Sequence, residues 1–153
     1  MNQKDELLIK LLNEEWTLME AAVLSLQRSV EKCKLIGEKP EYSFEEQESF
    51  DSLTSKFKRT SDLFTQKVIR TVWLLLHESF VPFIDLMNKG EKLEILQNAA
   101  EMIAIRDLRN QIAHEYIPEA IREIVPEVIE MTEKLFLNII SCRKFVMERG
   151  WLK

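Results

Sequence analysis

Apolar residues return every three or four positions along nearly the whole chain, the spacing of one buried stripe on an α-helix. From about Lys4 to Leu35 that stripe is Leu12, Trp16, Met19, Val23, Leu26, Val30 and Cys33. Gly37 and Pro40 end it, because Gly accepts positive φ and Pro lacks an N–H donor. A second helix is predicted from Ser43, where Glu46 three residues on completes a capping box, to about Ser79. Its stripe is Phe50, Leu53, Phe57, Phe64, Val68, Val72 and Leu75. Ile69, Trp73 and Leu76 fall beyond that arc and call for cover by flanking helices or by a second subunit.

Pro82 suits the first turn of a shorter third helix through Phe83, Ile84, Leu86 and Met87, which Gly90 either breaks or weakens. Asn98 and Glu101 form another capping-box pair and open a fourth helix reaching about Tyr116. Pro118 and Pro126 punctuate the next stretch of chain. A last long helix carries Val125, Val128, Leu135, Ile139, Cys142 and Val146, and Gly150 ends it. The expected fold is all-α: an antiparallel bundle of four to five helices, one domain over 1–153, with Phe57, Phe64, Val68, Leu135 and Ile139 buried together. No repeat or linker interrupts it.

Composition narrows the function. No apolar run approaches the roughly 20 residues that span a bilayer, and the opening MNQKDELL is too polar for a signal peptide, so no membrane partner is expected. Two distant cysteines, Cys33 and Cys142, and two His in all leave no metal-ligand spacing; reduced thiols and a cytoplasmic protein are expected, with no metal or cofactor. A formal charge of −5 argues against non-specific coating of nucleic acid, though a local basic stripe escapes that argument.

The stretch from Arg106 to Tyr116, R-D-L-R-N-Q-I-A-H-E-Y, holds Arg109, Asn110, His114 and Tyr116 as R-N-x-x-x-H-x-Y. This closely resembles the R-x(4–6)-H signature of HEPN domains, in which a polar residue commonly follows the Arg. The trailing H-x-Y resembles HEPN toxins paired with MNT-type nucleotidyltransferase antitoxins. The resemblance in helical layout covers the whole chain; the motif covers eight residues. It implies a dimeric ribonuclease toxin of a type II or VII-like pair, with the two motifs meeting at the subunit interface. It also implies that Tyr116 is AMPylated by the antitoxin.

Helical geometry adds to this. At about 100° per residue, with Arg109 at zero, Ile105, Leu108 and Ile112 make a core face at about 260–320°. Asn110 then lies near 100°, His114 near 140° and Tyr116 near −20°, with small Ala113 between Arg109 and Asn110. Arg109 and His114 diverge too widely to grip one phosphate from a single straight helix. A two-fold partner presenting the same helix removes that difficulty, so the expected site is composite and the protein a homodimer. A histidine side chain ordinarily titrates near neutrality, so the residue type at 114 makes His114 the candidate for general acid–base work on the RNA 2′-hydroxyl. Arg109 stays charged and offers a planar fork to the phosphate, while Asn110 orients either group or bonds RNA. The 2′-hydroxyl is an internal nucleophile, so no metal is required.

A second constellation is basic. Lys56, Arg59, Lys67 and Arg70 fall within about 80° on the second helix, a stripe suited to RNA phosphates and extended by His77. A merely solvated face explains it as readily. Asp62 and the acidic opening Glu45, Glu46 and Glu48 lie off the stripe and weaken its field. The leading expectation is a metal-independent endoribonuclease toxin. The alternatives are a non-catalytic HEPN-like substrate-binding subunit of a nucleotidyltransferase, or a helical adaptor. Arg109, Asn110, His114 and Tyr116 together favour the first; the net acidic charge favours the others.

Overall fold

The computed structural model describes residues 2–115 and 117–153. Among them there is no strand, and five helical rods pack into one bundle. Helix α1 spans Gln3–Ile36; α2, Phe44–Asp62; α3, Ile69–Leu75; α4, Phe83–Lys92; α5, Ala99–His114; α6, Pro118–Glu148. A π-helical stretch, Leu63–Val68, joins α2 to α3 without a break, so the three form one rod.

The caps follow the sequence chemistry. Asn2 accepts from the Asp5 amide, and Gly37, at φ 68°, closes α1 with its N–H on the Cys33 carbonyl. Ser43 and Glu46 exchange both bonds of the capping box, at 3.1 and 2.9 Å. At α5 the box is divided among three elements. Asn98 Oδ1 accepts from the Glu101 amide, but the Asn98 amide donates to Oδ1 of Asn138 on α6. Fully buried Asn138 also donates to Glu101 Oε1 and to the Lys134 carbonyl, and the Ala99 amide donates to Glu91 at the end of α4. One amide side chain thus fixes where α5 starts, which in turn fixes where Arg109 stands.

The core contains the expected stripes. Phe57, Phe64, Val68, Leu135 and Ile139 are buried in one cluster with Leu12, Trp16, Met19 and Met102. Gly90 continues α4 rather than breaking it; an added Cβ would stand 2.9 Å from Cδ1 of buried Leu96, so its lack of a side chain admits that contact. Ile69 and Trp73 are covered by the chain's own helices, and the Trp73 indole donates to the Ser79 carbonyl. The π stretch accounts for their displacement from a straight-helix arc. It counts about one residue too many for an α-helix and sets back everything after it by roughly 100°. That rotation returns Ile69, Trp73 and Leu76 to the core arc.

Three boundaries differ from expectation. The second rod ends at Leu75, with His77 at φ 59°, rather than near Ser79. Helix α5 ends at His114, where Glu115 turns extended. Pro126 does not interrupt the last helix; it lies exposed inside α6, which starts at Pro118. An exposed proline costs the ladder one N–H while leaving the core-facing side intact. Among the described residues no helix is long and apolar enough to cross a membrane.

Candidate functional site

Two threonines shape the rod where it meets α5. The Thr60 hydroxyl donates back to the Lys56 carbonyl at 2.7 Å, and the Thr65 hydroxyl to the Ser61 carbonyl at 2.9 Å. Such bonds satisfy carbonyls that a widened or bent ladder leaves free. The amide of Ile69 reaches the Phe64 carbonyl, the five-residue step of a π-helix. Asp62 stands at the entrance to this stretch.

Asp62 holds Arg109. Its two oxygens accept from Nε at 2.7 Å and Nη2 at 2.9 Å, a two-point fork across the seam between the rod and α5. Nη1 donates to Asn110 Oδ1 at 3.4 Å. Three of the five N–H groups of the guanidinium are thereby engaged, leaving two for a ligand. Both partners are about three-quarters buried, and the Asp62 bonds push the Arg109 pKa above its already high ordinary value. Arg109 is permanently charged and firmly aimed, but a carboxylate offsets part of its field.

Arg109, Asn110 and Asp62 line a groove of about 240 Å³ with Ser61, Thr65, Gln66, Phe83 and Arg106. His114 lies outside it, exposed in the last turn of α5. Its neighbours Ala113 and Glu115 face another depression, with Asp51, Lys58 and Ile121. Within one chain, therefore, Arg109 and Asn110 come together and His114 does not join them. Tyr116 lies outside the described residues; the helical spacing used to set it beside Arg109 ends at His114.

The basic residues divide in two. Lys56 and Arg59 precede the π stretch, and Lys56 stands near enough to Cys33 of α1 to stabilise its thiolate slightly. Lys67 and Arg70 line a groove of about 520 Å³ with Thr65, Gln66, Phe80 and Leu86. Because the extra residue turns the rod by roughly 100°, the straight-helix stripe does not carry across it. Arg70 is rotated onto the face that holds Asp62.

Sequence reasoning missed Asp62 as the partner of Arg109, and missed Arg106, Phe80 and Phe83. Arg106 lies over the Phe83 ring at 4.2 Å, and Arg70 over the Phe80 ring at 5.5 Å. The available signal was F-V-P-F, one aromatic ahead of the proline and one at the start of the helix that follows it. Another cavity, of about 510 Å³, lies between the end of α1 and Pro126. The cations on its rim have partners: Lys34 has Glu133, Lys39 has Glu46, and Arg122 lies over the Tyr42 ring. No family model, curated protein or solved structure matches the chain.

Proposed function

We propose that the chain is a HEPN-like, metal-independent ribonuclease that acts as a homodimer, with Arg109, Asn110 and His114 from two copies forming each site. The observation carrying this reading is the Arg109 fork. A cation fixed on a groove rim with two unengaged N–H groups suits a phosphate, while the exposed His114 ends the same helix. Neither residue completes a site alone, and a two-fold partner supplies what each lacks.

In this mechanism His114 takes the proton from an RNA 2′-hydroxyl as its oxygen attacks the adjacent phosphorus. The bond from phosphorus to the 5′-oxygen breaks, that oxygen leaves with a proton from the second His114, and a 2′,3′-cyclic phosphate remains. Arg109 stabilises the charge that grows on the phosphate oxygens. Lys56, Arg59, Lys67 and Arg70 supply attraction to the backbone. The second reading, a substrate-binding subunit of a nucleotidyltransferase, is favoured by one observation: Asp62 already offsets the Arg109 charge.

The test is cleavage of RNA by the purified chain in EDTA. The catalytic reading expects cyclic-phosphate ends and losses of roughly a hundredfold or more in Arg109→Ala and His114→Ala. RNA that is bound but never cut supports the second reading. Strict dependence on a divalent metal, or full activity of His114→Ala, rejects the mechanism.

The HEPN resemblance also extends to control. The proposed partner is an MNT-type nucleotidyltransferase antitoxin that adds AMP to Tyr116. Intact-mass spectrometry after co-expression should show the adduct on the wild type and not on Tyr116→Phe. An unmodified Tyr116 in a neutralised complex means that inhibition works by binding alone.

A further inference from the structure

The groove beside Arg109 does not end there. The depression lined by Arg109 and Arg106 and the one lined by Lys67 and Arg70 share Thr65 and Gln66, so they form one continuous track along the π stretch. Among the described residues, four cations and a single carboxylate, Asp62, line it, in a chain whose formal charge is −5. The local field therefore runs against the global one, which solvation of an ordinary face does not require.

Two aromatic rings lie along the same track, each with an arginine over it: Phe83 under Arg106 and Phe80 under Arg70. Phe80 is 53% exposed, so part of its ring is open to a ligand. Rings and guanidinium planes are the surfaces on which unpaired bases stack, and cations between them follow the phosphates. Thr65, Gln66 and Asn110 add polar groups for base edges or 2′-hydroxyls. From Asp62 to Arg70 the rod advances by about 12 Å, room for a short strand but not for a duplex to lay down both backbones.

We infer that this track, from Arg109 past Phe83 and Phe80 to Arg70, binds single-stranded RNA and delivers it to the Arg109 site. The inference rests on the reading that the chain acts on RNA, and it adds Arg106, Phe80 and Phe83 as binding residues. The π stretch is its structural cause. Wound as a straight α-helix, the same residues would carry Arg70 away from Asp62 by roughly 100° and the two depressions would not align.

The experiment measures anisotropy of a labelled, fully 2′-O-methylated single strand, which lacks the nucleophile and cannot be cut. Phe80→Leu and Phe83→Leu should each weaken binding about fivefold or more. Arg70→Gln with Arg106→Gln should weaken it about tenfold or more and reduce the salt slope by roughly 1.4, at about 0.7 per lost phosphate contact on a single strand. Arg143→Gln on α6, whose side chain pairs with Glu20, should bind as the wild type does. The same sequence as a duplex should bind more weakly.

Wild-type affinity in the Phe80 and arginine variants overturns the track, as does equal affinity for the duplex. Phe80 is exposed, so its variant should melt as the wild type does, and a loss of binding there is read directly. Binding that obeys these expectations without any cleavage of ordinary RNA upholds the track and rejects the catalytic reading. Cleavage that is insensitive to the track variants does the opposite.

Discussion

Arg109 and Asp62, 47 residues apart in sequence, close a fork of 2.7 and 2.9 Å that locks the motif helix to the π-containing rod. The pair is both a structural fastener and an electrostatic brake on the cation it aims.

Separating those two effects gives the first prediction. Because about a quarter of each partner remains exposed, a double-mutant cycle between Asp62→Ala and Arg109→Ala should give a coupling of about 1–2 kcal/mol in urea unfolding. Asp62→Asn should strengthen binding of the uncleavable single strand severalfold, since a negative charge leaves the groove, while lowering the cleavage rate as Arg109 loses its aim. Tighter binding with an unchanged rate would make Asp62 a brake alone.

Glu15 supplies a pH prediction. This buried carboxylate accepts from the Thr71 hydroxyl at 2.6 Å. Burial raises its pKa above 4.5; the Thr71 bond and nearby Lys67 oppose that, and Glu14 adds to it. The folded chain thus holds this proton more tightly than the unfolded chain. The group's stabilisation is full below the unfolded pKa and drains as pH rises through the higher folded value. Glu15→Gln keeps an acceptor for Thr71 without the charge. Its melting temperature should exceed the wild type's by a few degrees at pH 7, and the gain should vanish near pH 4.

The start of α5 is predicted to be fragile at one residue. Asn138→Ala leaves the Asn98 amide without its acceptor and Oε1 of Glu101 without its donor, in a place with no exposure at Asn138 itself. Buried polar groups stripped of partners cost about 1–3 kcal/mol, and removing the side chain adds a cavity. Urea unfolding should show a loss of about 2–4 kcal/mol. Asn138→Asp should not rescue it, because a second carboxylate then faces Glu101.

The thiols give a reactivity prediction. Complete burial pushes Cys142 up to about 12, and burial also raises Cys33, whose Sγ–H reaches the Ser49 carbonyl. A disulfide-exchange reagent at pH 8 should titrate neither thiol quickly in the native chain and both in denaturant, with Cys142 the last to react. Rapid labelling of Cys142 would show that α6 opens locally.

The helices and core were legible because their apolar stripes obey one period over many turns. Even the irregularity left a trace: Ile69, Trp73 and Leu76 stood off the arc of Phe57 and Phe64, which is the mark of an extra residue between them. Read as a patch needing cover, it hid a π-helix. The same straight-helix count aligned Lys56 with Arg70 and so missed their separation. Arg109 was legible as chemistry, but its partner was not. Nothing local ties Asp62 to it, and a carboxylate beside a basic stripe reads as mere dilution. Pro126 misled in the other direction, since proline's effect depends on whether its side of the helix is packed, and sequence alone does not reveal that.

The extra residue in the Leu63–Val68 stretch also bears on what length changes this chain tolerates. Removing one residue there would restore an ordinary α-helix and leave the rest of the rod in its present phase, because the lost residue and the lost set-back cancel. Trp73, now 1% exposed, would stay in the core and Arg70 on the face it shares with Asp62, whereas a residue inserted into α2 would turn both by roughly 100°. A deletion between Glu38 and Glu41 would only shorten an exposed connection. In descendants of this sequence, insertions and deletions should therefore accumulate between α1 and α2 and be purged from α2 and α3, with the π stretch the one place where the rod loses a residue without turning.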